Sequence, residues 1–291
     1  MRTIALDADP NLLALTARAA LNRGRADELP PVEVVRTGVT APVDRLVRYS
    51  RVCGFDVTGY LPSPFVHVLA FPLQTALLGR PDFPLPLPGL VHVANRLELR
   101  RPVRVGEPLD LSVRAADLRP HPRGRQVDVL SEASIDGEVV WRGRSTYLAR
   151  QAAARPGEPA AHPTAAVDAG LPPHARWRLP ADLGRRYAAV SGDHNPIHLN
   201  PLAAKAFGFP RTIMHGMWSL ARCVSSIGAR APAAAVVDVE FRRPVLLPST
   251  VQLRMQPSDG GWDLLLTGST RSDREPTVHL RGSLRPLSRL R

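Results

Sequence analysis

Residues 187–198 read YAAVSGDHNPIH, and residues 49–55 of the same chain read YSRVCGF. The two stretches share the frame Tyr-x-x-Val-(Cys/Ser)-Gly, but Phe55 stands where the later copy has Asp193. Two further pairs, LRRPV with FRRPV and RGRSTYL with RGSLRPL, recur in the same order, each separated by about 140 residues. Three matches in register predict that one whole domain is duplicated in this chain.

The duplication divides the chain into two domains. Residues 151–173 are rich in Ala, Pro and Gly and have no sustained hydrophobic period, which predicts a linker. We expect an N-terminal helical segment over residues 1–30, a first domain over 31–150 and a second over 174–291. Each contains an apolar helical run, FVHVLAFPLQTALLG or IMHGMWSLARCVSSIG, followed by β-rich runs. This order predicts an α+β layer with a sheet wrapped over a buried helix.

Composition narrows the class of protein. The net charge is +12, but every basic residue except Lys205 is an arginine, the arginines are spread along the chain, and aromatics are only 5%. This pattern argues against a nucleic-acid partner. Cys53 and Cys223 cannot form a disulfide framework, and no apolar run approaches the ~20 residues of a membrane span. The stretch after Asp7 and Asp9 lacks the basic start of a signal peptide, so we expect a cytoplasmic protein.

The stretch SGDHNPIHLN carries the strongest chemical signal. Pro196 has no N–H and restrains the residue before it away from helix, so Asp193 and His198 should lie across a turn. Such a turn can aim both side chains into one cleft. A carboxylate that accepts from water, beside an imidazole that titrates near neutral pH, suits acid–base catalysis. Asn195 is predicted to hold the loop through its amide.

Two plainer interpretations compete with catalysis. His194 and His198 are four residues apart, but Pro196 breaks the helix that a metal pair at this spacing needs. Because no third clustered ligand follows, we predict that the site holds no metal. The stretch also suits a polar turn that caps the following helix. His194 is expected to be solvated or structural, and His215 is either a helix-start or a cleft-wall residue.

The motif resembles a known family. YAAVSGDHNPIH, followed by HGM from His215, resembles the signature of the MaoC-like, hot-dog-fold (R)-specific enoyl-thioester hydratases. The segments NPLAAKAFGFP, RRPVLLPST and GGWDLLL resemble the mycobacterial two-domain (R)-3-hydroxyacyl-thioester dehydratases, and the resemblance extends from about residue 31 to the end. It implies a double hot-dog fold: two tandem hot-dog domains, each a sheet wrapped around a central helix, of which the first is degenerate.

The resemblance also implies an activity and a site. It implies a hydro-lyase of fatty-acid or related acyl metabolism that hydrates trans-2-enoyl thioesters and dehydrates (R)-3-hydroxyacyl thioesters. The substrate would be carried on CoA or on an acyl carrier protein, with no cofactor or metal. By the family's pattern, Asp193 and His198 form the catalytic dyad, and the backbone N–H of Gly216 receives the oxyanion. We expect Asn195 and His215 to be substrate-binding or positioning residues.

Several alternatives stay open at this point. Phe55 and the lack of a GDxNPxH motif predict that the first half is catalytically silent. Hot-dog folds also host thioesterases, and a non-catalytic acyl-thioester-binding protein could keep the same pocket. Lys205 and Arg211 are compatible with a phosphate contact or with a solvated surface. The duplicated chain is compatible with both a monomer and a homodimer.

Overall fold

The computed structural model describes residues 1–10, 15, 26–87, 89–150, 167, 169–269 and 275–287. Residues 11–14 and 16–25 of the predicted N-terminal helical segment and most of the predicted linker lie outside the described residues, so both stay predictions. The described start of the N-terminal segment is a strand, Arg2–Ala5, which pairs in parallel with Val32–Val39. The segment is therefore not helical throughout, because its first residues extend an edge of a sheet.

Each half opens with one or two strands, continues with helices and ends with four strands. The helices are α1 (Val43–Cys53), α2 (Ser63–Leu78), α3 (Leu183–Ser191), α4 (Pro196–Leu199), α5 (Pro201–Ala206) and α6 (Gly216–Ser225). The strands are β1 (Arg2–Ala5), β2 (Val32–Val39), β3 (Leu90–Leu99), β4 (Leu109–His121), β5 (Gly124–Ile135), β6 (Glu138–Arg150), β7 (Ala175–Leu179), β8 (Ala235–Phe241), β9 (Ser249–Ser258), β10 (Gly261–Gly268) and β11 (Val278–Pro286). No helix of the described residues is long and apolar enough to cross a membrane.

The described chain forms two compact units. The first comprises Met1–Val43, Gly59–Leu97 and Arg101–Ala161, and the second comprises Asp44–Thr58, Glu98–Arg100 and His162–Arg291. The second unit thus includes almost all of helix α1, which the first half of the sequence contributes. The predicted bounds, 31–150 and 174–291, stay a prediction of where the duplicated sequence lies.

The first unit is a sheet with a buried helix. Its strands lie in the order β1-β2-β4-β5-β6-β3, and neighbours from β2 to β6 are antiparallel. Helix α2 contacts β2, β4 and β5, and 13 of its 16 residues are buried. A helix that is apolar on all sides cannot face solvent, so α2 is the central helix of this unit.

The second unit repeats the arrangement and adds the motif helices. Its strands lie in the order β8-β11-β10-β9-β7, all antiparallel. Helix α6 contacts β11 and buries most of its side chains. The paired tyrosines of the repeated frame, Tyr49 of α1 and Tyr187 of α3, are both buried with ring centroids 6.2 Å apart. The frame therefore marks two helices whose tyrosines pack together.

The third repeated pair, RGR and RGS, has a steric reason. A Cβ on Gly143 would lie 2.5 Å from the Trp141 ring, and a Cβ on Gly282 would lie 2.4 Å from the carbonyl oxygen of Asp238. Both distances are shorter than any side chain tolerates, so each sheet needs glycine at this point. The obstacle at Gly282 is the backbone of the neighbouring strand, which cannot move without breaking the pairing of β8 with β11.

We expect Gly282→Ala to lower the free energy of unfolding by about 1–3 kcal/mol, because the new methyl group overpacks against a strand backbone. Urea unfolding measures the change. Gly59→Ala is the matched control: its Cβ would meet no heavy atom within 4 Å, so its stability should stay within about 0.5 kcal/mol of the parent. Equal stability of the two variants would contradict the steric explanation.

Candidate active site

The end of helix α3 presents Asp193. The helix ends at Ser191, and Gly192 follows in the left-handed region with φ 82°, which favours glycine. The backbone N–H of Asp193 donates to Ser191 Oγ at 3.2 Å. Asp193 Oδ1 in turn accepts from the N–H of Asn195 at 3.1 Å. Asp193 is therefore half-buried and held by one hydrogen bond to its backbone N–H and one to its carboxylate.

The next helix, α4, presents His198. Asn195 is its N-cap, with Oδ1 accepting from Ile197 N at 3.4 Å, and Pro196 takes the first helical position. Pro196 thus begins a short helix as well as preventing a longer one. Asp193 and His198 lie on opposite sides of the turn, as the proline predicted, and Asn195 holds the loop.

A hydrogen bond to the Ile213 carbonyl oxygen determines the tautomer of His198. Its Nδ1 lies 2.7 Å from the carbonyl oxygen of Ile213, which can only accept, so Nδ1 carries the proton. Nε2 therefore keeps its lone pair. Burial lowers the pKa of His198, and the neighbouring Asp193 and the Ile213 carbonyl only partly oppose this. At neutral pH the side chain is an uncharged imidazole with Nε2 available as a base.

His215 completes the cluster from the start of helix α6. Its Nε2 lies 3.0 Å from the carbonyl oxygen of Asp193 and donates to it, and its ring stacks on His198 with centroids 3.6 Å apart. Burial, then the neighbouring His198, lowers the pKa of His215 to about 3. The approach of its Nε2 to Asp193 Oδ2, at 3.9 Å, is therefore no ion pair at neutral pH. His215 proves to be both the helix-start and the site-wall residue that the sequence left as alternatives.

These three side chains also form the strongest candidate metal cluster of the described residues. The ligand atoms of Asp193, His198 and His215 lie within 4.8 Å of one another. The expectation that no third ligand clusters here is wrong, because the fold brings in His215 from 17 residues beyond His198. The geometry still favours acid–base chemistry, because a metal lies in the plane of each ring that binds it. Two rings stacked at an interplanar angle of 26° do not converge on one such point.

Gly216 opens helix α6 beside this cluster. The N-cap, His215, makes no side-chain capping bond, so it leaves the first N–H groups at the positive end of the helix without a side-chain acceptor from the cap. A Cβ on Gly216 would lie 3.1 Å from carbons of the Phe241 ring. The sequence suggested glycine because a substrate oxygen must approach, and the structure adds that the Phe241 ring leaves little room for a side chain.

The flanking residues contribute in different ways. Tyr187 is buried and packs its ring on His215, with centroids 4.9 Å apart. His194 is half-buried, with Nδ1 2.9 Å from the carbonyl oxygen of Gly192, which matches the structural role expected of it. Lys205 and Arg211 are exposed, and Arg211 Nη1 donates to the carbonyl oxygen of Pro248 at 3.3 Å.

Sequence reasoning missed three groups that build this site: the Ser191 hydroxyl, the Ile213 carbonyl and the Phe241 ring. Ser191 could have been found, because it occupies the variable Cys/Ser position of the repeated frame. Phe241 begins the repeated FRRPV segment, which marked it as notable without a role. The Ile213 carbonyl carries no sequence signal, since every residue has one.

The low pKa of His215 has a consequence for stability. In the unfolded chain this histidine is protonated near pH 6.5, whereas in the folded chain it stays neutral until about pH 3. The contribution of His215 to the free energy of unfolding should therefore have its full value above about pH 6.5 and decrease as the pH drops toward 3. We expect His215→Gln to make this decline shallower, measured by urea unfolding between about pH 5 and pH 7.5. His194→Gln is the control, and an unchanged slope in His215→Gln would contradict the burial argument.

Comparisons with known proteins agree on one family. Residues 153–263 match the MaoC like domain. The 3-hydroxyacyl-thioester dehydratase X of Mycobacterium tuberculosis is 38% identical over 274 residues, 94% of this chain and 97% of the relative. The peroxisomal enoyl-CoA hydratase 2 of Arabidopsis thaliana is 26% identical over 186 residues, 60% of each chain.

A solved structure supports the same assignment. The crystal structure of HtdX of Mycobacterium tuberculosis matches with a TM-score of 0.77 and 35% identity, covering 88% of this chain and 100% of that one. The expected α+β double hot-dog fold is thereby confirmed. With this agreement in sequence and in fold, the chain belongs to the MaoC-like family of 3-hydroxyacyl-thioester dehydratases.

Proposed function

We propose that this protein is a hydro-lyase that adds water to trans-2-enoyl thioesters with (R) specificity and dehydrates (R)-3-hydroxyacyl thioesters in the reverse direction. The observation that carries the proposal is the convergence of Asp193, His198 and His215 within 4.8 Å, beside the uncapped N-terminus of α6. The two relatives, a 3-hydroxyacyl-thioester dehydratase and an enoyl-CoA hydratase, support the same reaction.

His198 is the base in the hydration direction. Its unprotonated Nε2 takes a proton from water while the water oxygen forms a bond to C3 of the enoyl thioester. The electron pair of the C2–C3 double bond moves toward the thioester carbonyl. The imidazolium that forms is stabilised because its Nδ1–H already donates to the Ile213 carbonyl at 2.7 Å.

Asp193 works with His198 on the same water. One carboxylate oxygen, Oδ1, is held by the N–H of Asn195, which leaves the orientation of the carboxylate fixed. The other oxygen can accept from the water that His198 activates. The proton taken from the water returns to C2 through the Asp193–His198 pair, so one H and one OH are added overall. Dehydration runs the same steps backwards.

The backbone N–H of Gly216 receives the developing negative charge on the thioester oxygen. A helix N-terminus supplies donors and a positive potential that are already in place before the reaction starts. The histidine before it has φ −62° and ψ 135°, and its imidazole turns to the Asp193 carbonyl, so it does not cap the helix. His215 thus positions the dyad and leaves the N–H groups for the substrate.

Nothing in this scheme needs a cofactor or a metal. The substrate would be an acyl thioester, carried on CoA or on an acyl carrier protein, in fatty-acid or related acyl metabolism. Two buried, free cysteines suit a reducing compartment such as the cytoplasm. Parallel assays on crotonyl-CoA and on crotonyl carrier protein would identify the preferred carrier, and gel filtration would show whether the enzyme is a monomer or a homodimer.

The assay with crotonyl-CoA also tests the reaction class. Loss of enoyl absorbance with formation of (R)-3-hydroxybutyryl-CoA is the expected result, and chiral analysis of the product checks the configuration. Release of free CoA thiol without hydration would instead identify a thioesterase. Binding with no turnover on any chain length would identify a non-catalytic acyl-thioester-binding protein.

We expect Asp193→Asn and His198→Gln each to lower kcat by about 10²–10⁴-fold, because each removes one partner in proton transfer. His194→Gln, next to Asp193 in sequence but with its Nδ1 2.9 Å from the Gly192 carbonyl oxygen, should keep near-parent activity. Steady-state hydration kinetics measure all three. Normal turnover by either dyad variant would remove that residue from the mechanism.

Substitutions at Gly216 separate the N–H donor from the packing constraint. Gly216→Ala and Gly216→Pro both introduce a Cβ near Phe241, but only proline removes the N–H. Proline suits the first helical position, and the extended backbone of His215 accepts it. We therefore expect Gly216→Pro to lower kcat by about 10²–10³-fold relative to Gly216→Ala. Equal kcat values for the two variants would place the oxyanion donor elsewhere.

A further inference from the structure

A side chain from the silent half reaches the catalytic motif. Arg45, on helix α1, donates from Nε to the carbonyl oxygen of Val190 at 2.8 Å and from Nη2 to that of Ser191 at 3.1 Å. Both carbonyls belong to the last turn of α3, where the helix itself supplies no further N–H donors. The guanidinium therefore takes the place of the missing helical turn.

The position of these carbonyls gives the contact its meaning. Ser191 ends the helix, Gly192 turns the chain, and Asp193 follows at once. A guanidinium donates from two fixed points of one plane, so it restrains the direction of the helix end as well as its location. A cation at the carboxyl end of a helix also stabilises that end. Arg45 is half-buried, which limits its competition with water.

The carboxyl end of the same helix α1 contacts helix α6, which begins at Gly216. The carbonyl oxygen of Val52 accepts from Trp218 Nε1 at 3.0 Å, and that of Cys53 accepts from Ser225 Oγ at 2.9 Å. Gly54 follows with φ 78°, and a Cβ there would lie 1.3 Å from Arg222 Nη1. Helix α1 thus touches both helices that carry the proposed chemistry, and these contacts lie within the second unit.

We propose that Arg45 is a positioning residue for the hydratase reaction: it holds the carboxyl end of α3 so that Asp193 is presented to His198 in the reactive geometry. The inference rests on the proposed function. Arg45 is not a relic of the repeated frame. Aligning Tyr49 with Tyr187 sets Leu183 opposite Arg45, so only the silent copy carries the guanidinium. The first half therefore lacks the catalytic groups but contributes to aiming them.

The first experiment compares Arg45→Met with Arg48→Met. Arg48 lies on the same helix, is exposed and pairs with Asp44 at 2.8 Å, so it is a matched control. We expect Arg45→Met to lower kcat for crotonyl-CoA by about 10–100-fold with KM changed less than about twofold, since misplacement of a catalytic group costs up to that factor. Arg45→Lys should recover only part of kcat, because an ammonium lacks the two-point geometry. Parent-level kcat in Arg45→Met, with Arg48→Met equally active, would overturn the proposal.

A second measurement needs no turnover. Hydrogen exchange followed by mass spectrometry should show faster exchange in residues 187–198 for Arg45→Met than for Arg48→Met, because the helix end loses its restraint. Millimolar guanidinium should slow that exchange and raise kcat in Arg45→Met, an effect that general destabilisation would not give. Unchanged exchange in this segment would overturn the positioning role. If the parent protein hydrates no thioester, the proposed function fails alone, and the exchange result still decides whether Arg45 holds the loop.

Discussion

Two imidazole rings, His198 and His215, stack 3.6 Å apart in a buried site, and both are uncharged in the resting protein at neutral pH. Burial lowers the pKa of both rings, and the neighbouring His198 adds to the effect of burial on His215, whose pKa falls to about 3. Each ring donates to a backbone carbonyl, His198 to Ile213 and His215 to Asp193. These two bonds fix the tautomers and leave the lone pair of His198 on Nε2, the atom that we propose as the base.

The site is therefore positioned mainly by main-chain acceptors. The carbonyls of Ile213 and Asp193 orient the histidines, and the carbonyls of Val190 and Ser191 receive Arg45. A backbone carbonyl is placed by the fold and does not depend on the residue that carries it. Side-chain substitutions elsewhere in the loop can therefore leave the geometry of the dyad intact, provided that helices α3 and α4 still begin and end where they do.

The difference between local effects of residue type and contacts made by the fold explains what the sequence could predict. The duplication, the α+β layers and the turn between Asp193 and His198 follow from residue types whose effects are local: the repeated frame, the apolar runs and Pro196. The third member of the cluster, His215, could not be placed, because its contact with Asp193 depends on how α6 packs. Strand β1 (Arg2–Ala5) was not predicted for a similar reason, because it forms by pairing with the edge of strand β2.

Comparison of the two copies separates what builds the fold from what performs the chemistry. Tyr49 and Tyr187, and Gly54 and Gly192, are retained in both copies, and both glycines adopt positive φ after the helix. The copies differ at the next residue, Phe55 or Asp193, and at the residue four positions before the tyrosine, Arg45 or Leu183. Because helix α1 is not followed by a catalytic acid, its side chains can change to ones that contact and position the second copy. Arg45 of the first copy caps the carboxyl end of helix α3 in the second copy. Its loss would displace Asp193 before it destabilised the fold.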